Sequence, residues 1–133
     1  MEITNNRSPL FFNAIGFNAV FAGGCGLLMV VAAQPVAGWL GVDAVLTVAS
    51  IGAFLLLFAA RLVMLRRNQR ADVAEAWSIV MGDLGWVVFS LGLLSVYSSE
   101  FSDLGRLLIA ATAVVVMALA VAQAAGIRPV TSN

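Results

Sequence analysis

Asp83 is the side chain whose type and setting point most directly to chemistry. It is a carboxylate in the run Val80-Met81-Gly82-Asp83-Leu84-Gly85-Trp86-Val87-Val88-Phe89-Ser90, which otherwise reads as membrane-spanning sequence. An aspartate at the centre of a membrane helix costs about 2.5–3.5 kcal/mol on insertion scales. Such a group is expected to be paired, protonated or open to a wet cavity. Four other residues complete the candidate set: Arg61 as a cation to pair with it, Asn18 and Ser90 as hydrogen-bonding neighbours, and Trp86 as an aromatic wall. Together they allow a proton or substrate site, or a polar layer that fixes helix packing.

The residues absent from the chain narrow the chemistry. There is no histidine, the commonest general base, proton relay and metal or haem ligand. The single cysteine, Cys25, can form neither an intrachain disulfide nor a paired-thiol site, and among Gly23, Gly24 and Gly26 it reads as a small packing residue. All seven basic residues are arginines, so the lysine of a nucleotide-binding phosphate loop is missing. The chain is therefore read as non-enzymatic, with no cofactor and no metal. A formal net charge of zero argues against nucleic acid as a partner, because neutralising phosphates requires cations in excess.

Composition sets the elements that must position these residues. Of 133 residues, 62% are hydrophobic and 11% charged, against about 45–50% apolar and about 25% charged in ordinary soluble domains. A chain this short has too much surface to hide that apolar material in water, whereas a bilayer solvates helix faces directly. Four apolar stretches at about 10–33, 44–65, 74–97 and 104–125 each suffice for a core that needs about 20 residues. Pro9 suits the start of the first, and its length exceeds the 7–15 apolar residues of a signal peptide, so it is read as an uncleaved anchor. Gln34-Pro35 is read as its end, followed by a turn from Val36 to Asp43. Trp39, Trp77 and Tyr97 fall near span boundaries, as interfacial aromatics do. Small residues four apart mark candidate helix contacts: Ala19 and Gly23, Ala22 and Gly26, Ser78 and Gly82, Ala118 and Ala122.

An even number of spans puts both termini on the same side as the middle loop. Arg7, Arg66, Arg67, Arg70 and Arg128 lie on that side, and only Arg106 lies in the opposite loops, so the positive-inside rule makes that side cytoplasmic. The expected fold is all-α, an integral membrane four-helix antiparallel bundle in a single domain, with both termini cytoplasmic. The expected location is the inner (plasma) membrane.

Asp83 then sits about eight residues into the third span, roughly 12 Å inside the cytoplasmic boundary. Helical side chains tilt toward their own N-terminus, so Arg61 near the end of the second span and Asp83 lean toward each other. Pairing would cancel both charges; the alternative is that Arg61 snorkels to the headgroups. Asn18 has the same depth on the first span, and Gln123, near the end of the fourth, borders the layer.

The residues Asn18-x-x-Phe21, Gly26-Leu27-Leu28, Pro35, Leu40-Gly41, Phe58-Ala59-Ala60-Arg61 and Asp83-x-x-Trp86-Val87-x-x-Ser90 resemble those of a group of small bacterial four-span membrane proteins. That resemblance covers nearly the whole chain and brings no activity with it. In size and span count the chain is also similar to the small multidrug resistance transporters, but Asn13 and Asn18 stand where those carry a glutamate in the first span. The expected function is an accessory or assembly subunit, or a homo-oligomer, with the bilayer and a larger membrane protein or a second copy as partners. A small proton-linked transporter or channel using Asp83 is the alternative, and a lipid or quinone site walled by Trp86 is a third reading.

Overall fold

The computed structural model describes residues 9–68 and 72–127. Arg7, Arg70 and Arg128, which contribute to the charge bias, lie outside the described residues. The described chain is all-helical, with five α-helices, a single 3-10 turn at Ser98–Glu100, and no strand. The helices are α1 (Pro9–Val31), α2 (Ala33–Leu40), α3 (Val45–Asn68), α4 (Val73–Val96) and α5 (Asp103–Gly126). All but α2 are long and apolar enough to cross a membrane.

Local chemistry accounts for most of the boundaries. Asp72 caps α4, its Oδ1 accepting the Glu75 N–H at 2.8 Å, and Ser102 caps α5, its Oγ accepting the Gly105 N–H at 2.9 Å. Helix α4, so capped, opens at Val73, one residue before the expected start of the third span at 74. Helix α3 runs to Asn68, past the expected stop at Leu65. Arg66 and Arg67 are good helix formers, and their charge suits a helix C-terminus.

The larger departure is α2. The turn expected after Gln34-Pro35 is a helix that contains the proline at its third position. Proline breaks a helix interior by removing a donor, but the first-turn N–H groups have no intrahelical acceptor, so nothing is lost there. The helix stops at Gly41, whose φ of 80° is the left-handed conformation that glycine adopts without a Cβ clash.

Packing is uneven among the helices. Helix α1 lies most extensively against α3 and also against α5, and α4 lies against α5, whereas α3 and α4 have almost no close backbone approach. Along the α1–α3 contact Gly16 meets Arg66, Gly23 meets Ala59 and Gly26 meets Gly52, so numbers rise on one helix as they fall on the other. At the Gly26–Gly52 crossing a Cβ on Gly26 would stand 2.7 Å from the Gly52 carbonyl oxygen, so glycine is what permits this separation. Of the four small-residue pairs read from sequence, the two on α1 lie at this contact. Ala118 is exposed, and α5 instead buries Ala113, Val116, Ala120 and Gln123.

Two apolar clusters mark the ends. One joins Phe11, Phe12 and Ile15 of α1 with Leu62 and Leu65 of α3 and Ala76 and Ile79 of α4. The other joins Val36 and Ala37 of α2 to Val48 of α3. Near the second, Ser102 binds the end of α2 twice, its N–H donating to Leu40 O (2.9 Å) and its Oγ to Trp39 O (2.8 Å). Asp103, at the start of α5, is exposed and forms an ion pair with Arg106 one turn on.

Candidate functional site

Deep between α1, α4 and α5 three polar side chains meet. Asn18 Nδ2 donates to Asp83 Oδ2 at 2.7 Å, and Gln123 Nε2 donates to the same oxygen at 2.7 Å. Gln123 Nε2 also donates to Leu119 O of its own helix at 2.9 Å, which fixes the amide in place. Their exposures are 1%, 3% and 0% for Asn18, Asp83 and Gln123. A polar group this deep is costly unless hydrogen-bonded, and these bonds join three helices at one carboxylate oxygen.

Geometry explains the meeting. Asn18 lies nine residues into α1 and Asp83 ten into α4, so both stand about 14–15 Å along helices that start at the same end of the molecule. Gln123 lies only three residues from the end of α5, where Gly126 packs on Phe11. Its longer side chain leans toward the start of α5 and Asp83 leans toward the start of α4, so the two converge. The sequence reading placed Gln123 only at the border of the layer. The tilt argument applied there to Arg61 applies equally to this residue and was the signal that could have found it.

Arg61 does not pair with Asp83. Its Nη2 donates to Ser78 Oγ at 2.9 Å, and Ser78 Oγ donates in turn to Glu75 O at 2.7 Å. Arg61 is exposed, while Asp83 turns inward to its amides. Helices α3 and α4 meet through side chains, with the Phe58 ring over Gly82 and Leu62 and Leu65 clustered with Ala76 and Ile79, and Arg61 reaches Ser78 on the outer side of that contact rather than Asp83.

Ser90 is 2% exposed and lies on the Asp83 face of α4, but seven residues on, about 10 Å along the axis, and it takes no part in the Asp83 hydrogen bonds. Trp86 is half-buried with its ring against Phe89, centroids 6.0 Å apart, and no hydrogen bond ties it to Asp83. The structure thus brings together Asn18, Asp83 and Gln123, and leaves Arg61, Ser90 and Trp86 outside that group. Among the described residues no three His, Cys, Asp or Glu side chains converge to hold a metal ion, and the central site offers one carboxylate and two amides.

Among the described residues, Gln123 Oε1 is buried with no hydrogen-bond donor. Any donor brought to that point would remove the penalty of an unpaired acceptor, about 1–3 kcal/mol.

Fold and site together define a class: a helical protein with four helices able to cross a membrane and a carboxylate held by two amides in its interior. No family model, curated protein or solved structure matches the chain.

Proposed function

We propose that this is a multi-pass protein of the inner membrane, an antiparallel four-helix bundle with both termini cytoplasmic. It acts without catalysis as an accessory or assembly subunit or as a homo-oligomer, and the Asn18–Asp83–Gln123 layer fixes its helix packing. The observation that carries this reading is the sharing of Asp83 Oδ2 by two amides from two other helices. A carboxylate that binds a cation or solute offers accessible oxygens, whereas Asp83 is 3% exposed and its Oδ2 is taken by two amides that the fold itself supplies. The bundle and its orientation are supported by the opposed numbering along α1 and α3 and by Arg66 and Arg67 at the end of α3. Purification in mild detergent tests the role: a co-purifying larger membrane protein or a stable oligomer is expected, and a lone monomer under every gentle condition contradicts it.

A second reading is favoured by one atom. In a small proton-linked transporter, Asp83 would take up a proton during turnover, and the Gln123 amide that donates to it carries on its other side an Oε1 with no donor among the described residues, an acceptor that turning the amide over would present to such a proton. Proton or solute flux in reconstituted vesicles that disappears in Asp83→Asn, with the fold retained, would establish it. Flux unchanged by that substitution, or absent from the wild type, removes it.

A further inference from the structure

Arg61 carries a guanidinium in surroundings that do not suit one. It lies seven residues before the end of α3, about 10 Å along the axis from Asn68. Between residues 54 and 64 the other exposed side chains along its strip of α3 are apolar: Phe54, Leu57 and Met64, at 62%, 72% and 63% exposure. On α4, Trp77 and Met81 flank Ser78, its hydrogen-bond partner, and are also exposed. If the four long helices are membrane spans, on which this inference rests, these residues face acyl chains and Arg61 faces the same layer.

The charge is held in place without being neutralised. Ser78 Oγ gives its own hydrogen to Glu75 O and so meets Arg61 purely as an acceptor, a bracket that orients the guanidinium in the outer groove between α3 and α4. A guanidinium has five N–H donors, and this bond uses one. No carboxylate of the described residues forms an ion pair with it: Asp72 caps α4, Asp83 is turned to its amides, and Glu75 lies on the same helix as Ser78 without reaching Arg61. The group that matches such a fork in such surroundings is an anion with several oxygens on a molecule whose remainder is apolar.

We propose that Arg61, bracketed by Ser78, binds the phosphate of an anionic phospholipid, whose acyl chains run over Leu57, Phe54 and Met81. A headgroup with its own ammonium already has a cation beside the phosphate, so an unpaired guanidinium favours headgroups that have none. The site uses no atom of the Asp83 layer and stands whether that layer is structural or proton-linked.

The test uses the full chain in nanodiscs of phosphatidylcholine containing a minor fraction of phosphatidylglycerol, with retained lipids counted by native mass spectrometry after release. Wild type is expected to retain phosphatidylglycerol several-fold above its bulk share. Arg61→Gln should fall to the bulk ratio, Arg61→Lys should keep part of the preference, and Ser78→Ala should weaken it, all with unchanged helicity. Retention at the bulk ratio in wild type, or enrichment that Arg61→Gln leaves intact, overturns the site. Displacement of the lipid by inorganic phosphate would show a phosphate site that does not require the lipid, and an Arg61-dependent dimer without lipid enrichment would assign the guanidinium to a second copy; either overturns the proposal. A chain that stays in solution without detergent would overturn the membrane reading itself, a failure distinct from the others.

Discussion

Asp83 accepts two amide N–H groups on one oxygen while the arginine nearest to it in the sequence reading faces outward, and this division assigns different energies to the two residues. Removing a donor from the interior leaves a carboxylate less well held; interhelical hydrogen bonds in a membrane protein average about 0.6 kcal/mol and reach about 1.7. Gln123→Ala also deletes a buried side chain, so its loss is expected at about 1–3 kcal/mol in reversible detergent unfolding. Arg61→Gln touches only an exposed bond to Ser78 and should stay within about 0.5 kcal/mol of wild type. Breaking a buried ion pair would instead cost about 3–5 kcal/mol, so a loss of that size in Arg61→Gln would restore the Arg61–Asp83 pair.

Among the elements, the four long helices follow from hydropathy alone, because runs of more than twenty apolar residues have few other solutions. Two features were not legible. Helix α2 was hidden by Gln34-Pro35, since proline marks the end of one helix and the first turn of the next with equal ease. Which helices pack together was hidden as well. A short connector implies neighbours, yet α3 gives its closest face to α1 through Gly26 and Gly52, and this left Arg61 on an outer groove. Depth counting put Asn18 level with Asp83, with which it hydrogen-bonds, whereas Gln123, nearer its helix end, comes into reach only through the tilt of both side chains. The glycine contact makes its own prediction. Gly26→Ala would set a Cβ against the Gly52 carbonyl and should cost about 1–3 kcal/mol, whereas Gly85→Ala, with open space around it, should be neutral or stabilise by up to about 1 kcal/mol. Equal effects at the two glycines in the same unfolding assay would contradict the close α1–α3 approach.

Across the whole molecule, apolar clusters hold the two ends, and the polar layer lies inward of the first of them. Apolar packing between lipid-solvated helices is weakly directional, because lipid tails are as apolar as the side chains they replace. A hydrogen-bonded carboxylate is directional, and joining α1, α4 and α5 at Asp83 specifies which faces meet. This is the central claim, and energetic coupling tests it most directly. A double-mutant cycle of Asn18→Ala and Asp83→Ala, read by reversible unfolding in mixed detergent, is expected to give a coupling of about 1 kcal/mol between the two sites. Additive effects, with coupling inside about 0.3 kcal/mol, would mean that the bond does not hold the helices together and would contradict the account.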